Sequence, residues 1–170
     1  AEDIYPENPG AEMWFSGSGG LLDMKGNRIG DAPTSTNFLI WWDGDVSREL
    51  LDKNYIDKYK VGRIFTAEGC ASNNGTKATP ALSADLFGDW REELILRTTD
   101  NKNLRIYTTT IPTAHRIVTL MHDPQYRLAI ATQNVGYNQP PHTSFFLGTG
   151  MKKPVQPKIV LVKKNSESQK

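Results

Sequence analysis

Residues Asn73 to Leu94 read NNGTKATPALSADLFGDWREEL. A polar loop ending in a lysine runs into a turn of spaced acids, and the turn opens into an apolar segment. Counting from Asp85, the acids Asp85, Asp89 and Glu93 stand at positions 1, 5 and 9, with Gly88 at position 4. This is the spacing of a short calcium loop. Calcium takes about six to eight oxygens, and alternate residues of a tight turn aim carboxylates and a carbonyl at one point. Gly88 lets the backbone turn sharply, and the Arg91 carbonyl is a further oxygen. Phe87 at position 3 and Trp90 at position 6 depart from the pattern, so a metal-free acidic turn before a strand accounts for this copy alone equally well.

A second copy shifts that balance. Trp42 to Leu50 (WDGDVSREL) aligns Gly44 with Gly88, Asp45 with Asp89 and Glu49 with Glu93, an offset of 44 residues. Here the acids Asp43, Asp45 and Glu49 fall at positions 3, 5 and 9. The two turns thus offer six candidate metal ligands: Asp43, Asp45, Glu49, Asp85, Asp89 and Glu93. A period near 44 is that of a four-stranded propeller blade.

The flanking pattern is that of strands. Asn37 to Trp42 (NFLIWW) is a continuous apolar run of the kind found in a buried strand. Glu49 to Lys53, Tyr55 to Tyr59 and Arg63 to Ala67 follow as three strand candidates. Glu93 to Thr99 alternates apolar and polar residues, and Asp100 to Asn103 (DNKN) is a turn. Leu104 to Thr110 and His115 to Leu120 complete a meander rich in β-branched residues. A third unit starts at Asp123 with Leu128 to Thr132 as its inner strand, and Ser144 to Leu147 is a last strand candidate. No stretch has the pattern of a long amphipathic helix. The expectation is an all-β chain, a β-propeller with about three blades present. Closed rings need about four to eight, so residues 1–151 are expected to form the C-terminal part of a larger ring. Residues 152–170 are expected to be an edge strand, at Ile159 to Val162, or an extended tail.

Composition excludes several classes. The chain has 170 residues and a net charge of +1, so global charge suggests neither a nucleic acid nor an anionic membrane. Mean hydropathy is −0.51 and no apolar run approaches a membrane span. No signal peptide opens at Ala1, which reads as a processed or internal start. The one cysteine, Cys70, excludes an intrachain disulfide and reads as a packed thiol. His115, His122 and His142 lack the tight spacing of a zinc site. Trp14, Trp41, Trp42 and Trp90 are read as fillers between sheets rather than sugar platforms.

The segments IWWDGDVSREL, NNGTKATPALSADLFGDWREELILRT, LRIYTTT, HRIVTLMHDPQYR and NVGYNQPPHTSFFLG together resemble the C-terminal part of rhamnogalacturonan lyases of polysaccharide lyase family 11. The likeness runs from about Glu12 to Met151. It implies an eight-bladed β-propeller, of which this chain matches the last third, binding several calcium ions. It implies cleavage of the rhamnose–galacturonic acid backbone of pectin (rhamnogalacturonan I) by β-elimination, and hence a secreted protein. It implies as partners the remaining propeller blades, in the same protein or another chain. By the same resemblance Asn74, Gly75 and Thr76 match a substrate-binding loop, Lys77 a catalytic lysine and Tyr137 an active-site tyrosine; the family's arginine lies upstream of this chain.

Those residue types suit the chemistry. β-Elimination removes the C5 proton of a uronate and expels the 4-linked oxygen. Charge builds beside a carboxylate, where a cation must stabilise it. Lys77 is then the expected base or charge stabiliser, with Tyr137 binding the sugar or assisting the leaving oxygen. The alternative class is a non-catalytic, calcium-stabilised propeller module that binds a glycan or a protein. The two acidic turns support both classes; the NNGTK loop and the GYNQPPH segment favour the enzyme.

Overall fold

The computed structural model describes residues 1–135, 139–158, 160 and 161. Its strands form three separate antiparallel sheets. In the first, β1 (Glu12–Met13), β2 (Leu21–Asp23) and β3 (Arg28–Gly30) lie in chain order. In the second, β4 (Phe38–Ile40), β5 (Glu49–Asp52), β6 (Tyr55–Lys58) and β7 (Gly62–Thr66) form a four-stranded meander. The third is centred on β10 (Glu93–Thr98). On one side it carries β11 (Leu104–Tyr107), and on the other both β8 (Cys70–Ala71) and β9 (Leu82–Ala84).

Burial shows how the sheets stack. Along β4, Phe38 and Ile40 point one way and Leu39 the other, the period-2 alternation of a strand. Phe38, Ile40, Leu51 and Ile56 meet Cys70, Leu94 and Leu96 of the third sheet in one core. Leu39 and Leu50 meet Ile4, Leu21 and Tyr59 in a second core against the first sheet. The middle sheet is therefore covered on both faces, which is why NFLIWW is continuously apolar. Cys70 is buried, its Sγ 3.2 Å from the Tyr107 hydroxyl. A third core gathers Trp41, Val46, Trp90, Leu120, Tyr126 and Leu147 beneath the two acidic turns.

The expected β-propeller is corrected. The chain is all-β in its sheets, but they are three separate sheets stacked as in a sandwich, and none closes into a ring or is propeller-like. The 44-residue repeat is carried by a turn and the hairpin after it. It does not continue, because the third unit folds differently. Residues Pro124–Thr132, which include the expected inner strand from Leu128, form helix α1. Asp123 stands at its N-cap and Pro124 at N1, where the fixed φ of proline suits a first turn. Gln, Arg, Leu and Ala then continue it well. A short apolar run does not by itself separate strand from helix, and here the proline decides. His115–Leu120 and Ser144–Leu147 form no strand either. Ile159 and Val162 lie outside the described residues, while Val160 and Leu161 are exposed and outside any strand. No described helix is long and apolar enough to cross a membrane.

Candidate functional site

The two acidic turns share a backbone plan. Glu49 Oε2 accepts from the N–H groups of Trp42 (2.9 Å) and Asp43 (3.3 Å). Glu93 Oε2 accepts from Leu86 (2.8 Å) and Phe87 (3.0 Å), the same two positions. Asp45 Oδ1 accepts from Ser47 N at 2.9 Å, and Asp89 Oδ1 from Arg91 N at 3.1 Å. Each final glutamate thus closes its own turn as well as starting a strand. The glycines serve two ends. A Cβ at Gly44 would meet the Pro112 carbonyl at 2.5 Å, whereas Gly88 has φ +79°.

The turns differ in what their carboxylates face. Asp43, Asp45 and Glu49 each bring an oxygen within 4.8 Å of the others. An all-oxygen donor set of this kind could bind a metal ion. The Lys58 ammonium lies against all three, touching Asp43, 2.5 Å from Asp45 Oδ2 and 3.4 Å from Glu49 Oε1. Burial, then repulsion from Asp43, pushes the Glu49 carboxyl well above the usual range against the pull of Lys58. Burial also acts on Asp45, but hydrogen bonds from Lys58 and Ser47 outweigh it and hold that carboxyl low. Asp85, Asp89 and Glu93 do not gather. Asp85 Oδ2 accepts from Thr119 Oγ1 (2.7 Å) and Leu120 N (2.8 Å), and Asp89 pairs with Arg91 at 2.6 Å. Opposite Glu93, where the first hairpin has Lys58, the second has Thr108, whose hydroxyl donates to Glu93 Oε1 at 3.1 Å. Phe87 stands where the first turn has Asp43. The second turn carries its third acid at Asp85, where the first turn has Trp41, and has a neutral hydroxyl in place of the Lys58 counter-ion.

The lysine loop is built by strand pairing. β8 and β9 lie along the same side of β10, at Arg97–Thr98 and Glu93–Ile95, and the chain between them is pushed outward. Asn74 organises this bulge. Its Oδ1 accepts from the N–H groups of Lys77 (2.8 Å) and Ala78 (2.9 Å), and its Nδ2 donates to Thr79 Oγ1 (2.9 Å). Ala78 accordingly takes φ +51°. Gly75 and Thr76 are exposed at the tip. Lys77 lines a cavity of about 240 Å³ together with Glu2, Trp14, Asn37, Gln139 and His142. Tyr137 lies outside the described residues.

The sequence reading missed the groups that join turn to cavity. Arg48 is buried, with its guanidinium 3.6 Å from the Trp41 ring centre, its Nε 3.6 Å from Glu2 Oε2 and its Nη2 donating to the Pro141 carbonyl. Glu92, the repeat equivalent of Arg48, is also buried. It accepts from Trp41 N (3.0 Å) and the Tyr126 hydroxyl (2.7 Å). Burial pushes the Glu92 carboxyl up, opposed by the Arg48 charge. The one signal in the sequence was the opposite charge at equivalent places of the two copies.

The model of the family described as rhamnogalacturonan lyase family 11, C-terminal domain, matches residues 1–157. The chain is 61% identical to the rhamnogalacturonan endolyase YesW of Bacillus subtilis, covering 94% of this chain and 26% of that protein. It is 54% identical to the rhamnogalacturonan exolyase YesX of Bacillus subtilis, covering 99% of this chain and 31% of that one. Among solved structures, YesW superposes with a TM-score of 0.84 over 90% of this chain and 27% of its own, at 61% identity. The PL11 lyase of Bacillus licheniformis gives 0.85 at 58% identity, again over 90% and 27%. The chain thus spans about a quarter to a third of the length of these relatives. It belongs to rhamnogalacturonan lyase family 11, as the C-terminal domain of that family.

Proposed function

We propose that this chain is the C-terminal portion of a rhamnogalacturonan lyase and supplies one wall of its cleft. The observation that carries this reading is the Asn74-ordered loop, which brings Lys77 to a cavity with polar and aromatic walls. In the proposed reaction Lys77 Nζ takes the C5 proton of a galacturonate unit. The C5–H electron pair becomes the C4=C5 double bond, the C4–O bond breaks, and the departing rhamnose oxygen takes up a proton. Tyr137 is proposed to assist that oxygen, and Asn74, Gly75 and Thr76 to hold the sugar through the loop. The rest of the lyase, in the same polypeptide or another chain, completes the cleft. Its substrate polymer is met outside the cell, so a secreted protein is part of the proposal.

Calcium is the hard cation proposed for Asp43, Asp45 and Glu49, whose converging oxygens suit it. When bound it would supply charge neutralisation that pins the turn, in competition with the Lys58 ammonium. Asp85, Asp89 and Glu93 are spread over separate partners, so no ion is proposed there.

The test is the product. The complete lyase containing this chain should release oligosaccharides with an unsaturated, ultraviolet-absorbing uronate end from rhamnogalacturonan I. Saturated ends, or no cleavage, would overturn the reading.

A further inference from the structure

We propose that His142 is a uronate-binding residue of the Lys77 cavity and that Glu2 is the residue that positions it. The inference rests on the lyase reading above and adds a contact to it. His142 and Lys77 are the two basic side chains among the described residues lining that cavity. The imidazole stays nearly half exposed, with Nδ1 2.7 Å from Glu2 Oε1. A carboxylate on one ring nitrogen fixes the ring's orientation and places the proton at Nδ1. Nε2 is then the nitrogen left to meet a ligand, and it donates to a uronate carboxylate when the ring carries both protons as the imidazolium.

The support behind Glu2 is deep. Its backbone pairs twice with Glu12, N to O at 3.0 Å and O to N at 2.8 Å. Its other carboxylate oxygen lies 3.6 Å from Arg48 Nε. Arg48 is 1% exposed, stacks on Trp41 and donates to the carbonyl of Pro141, the residue before His142. One buried guanidinium therefore hydrogen-bonds the backbone that carries the ring and faces, as an ion pair at 3.6 Å, the carboxylate that orients it. Burial opposes the Glu2 charge, but Arg48 and then His142 outweigh it and hold the Glu2 carboxyl below its ordinary range. With that charge balanced by Arg48, His142 faces the cavity as a hydrogen-bond donor beside the Lys77 amine. Trp14, whose indole N–H donates to the Ser35 carbonyl at 3.1 Å, packs against the core of the first sheet and lines the cavity with the rest of its ring. A site with two basic donors and an aromatic wall fits an acidic sugar better than a neutral one.

The experiment uses the complete lyase and its His142→Ala, His142→Gln and Glu2→Gln variants. KM and kcat are read on rhamnogalacturonan, and Ki is read for carboxyl-reduced rhamnogalacturonan, which lacks the uronate charge and cannot eliminate. The proposal expects KM to rise about tenfold or more in both His142 variants, the loss of one charge-assisted hydrogen bond. Ki of the reduced polymer should stay within about twofold, and Glu2→Gln should fall in between. KM within about twofold of wild type in both His142 variants would overturn it. So would KM and Ki rising together, which marks a distorted wall rather than a lost carboxylate contact. A wild-type enzyme giving no unsaturated product would sink the lyase reading itself, a separate outcome read before any variant is made.

Discussion

Trp41 and Glu92, which belong to different repeats, grip each other twice: the Trp41 N–H donates to Glu92 Oε2 at 3.0 Å, and the Glu92 N–H donates to the Trp41 carbonyl at 2.8 Å. The Tyr126 hydroxyl completes the carboxylate's shell and itself accepts from Asp85 N at 3.0 Å. A charge with no exposed surface is thereby made part of the join between the second and third sheets and helix α1. Glu92→Ala should cost about 3–5 kcal/mol, because it leaves the Trp41 N–H and the Tyr126 hydroxyl without their buried acceptor and removes a charge that acts on buried Arg48. Urea unfolding of the domain measures it, and a loss below about 1 kcal/mol would contradict the role.

The same residue gives a pH signature. Burial raises the Glu92 carboxyl above its ordinary 4.5 against the pull of Arg48 and Tyr126. Between 4.5 and that raised value the folded chain keeps a proton that the unfolded chain has released. Stability contributed here is full at low pH and falls as pH rises through the window. Glu92→Gln cannot titrate, so the stability of wild type relative to Glu92→Gln should decline with rising pH and level off above the window. A gap that grows with pH would reverse the sign and refute the assignment.

Lys58 sets the metal response. Lys58→Met removes the ammonium that competes for Asp43, Asp45 and Glu49, and leaves three carboxylates facing one another. Calcium should bind this variant at least about tenfold more tightly than wild type, as one competing unit charge is removed. Its melting temperature should drop in chelator and recover with calcium. Calorimetric titration and thermal melts read both effects; equal affinity in the two proteins would show that Lys58 does not share the site.

Asn74 is expected to act through loop shape. Asn74→Ala removes the acceptor for the Lys77 and Ala78 N–H groups and releases the positive φ at Ala78. The complete lyase should lose about tenfold or more in kcat, since small misplacements of a reacting group are costly. The melting temperature of the exposed loop's host sheet should barely change. A kcat within twofold of wild type would mean the loop keeps its shape without Asn74.

Much of this was legible because it is local. The acidic turns, the meander from Glu49 to Thr66 and strand β10 follow from residue alternation and turn chemistry. The carboxylate turns proved alike to the level of single hydrogen bonds. What the sequence misled on was the step from repeat to ring. A 44-residue spacing describes a turn and a hairpin, and says nothing of how successive sheets stack. The third unit looked like a strand from Leu128 to Thr132 until Pro124 is weighed as a helix start. The site was legible only in part. Lys77 and Asn74 sit in one contiguous loop, whereas Glu2, Trp14, Asn37 and His142 reach the cavity from distant segments that no spacing links. Lys58 was invisible for the same reason: strand pairing, not sequence distance, sets it opposite Glu49.

The most direct measurement of the central claim is kcat/KM of the complete lyase with Lys77→Ala, followed by unsaturated-product absorbance. With Lys77 as the proton acceptor, activity should fall by at least about a hundredfold, while the melting temperature stays within about two degrees, since an exposed side chain adds little to stability. A variant that keeps full activity would show that Lys77 takes no part in the chemistry, and the cavity's role in elimination would have to be abandoned.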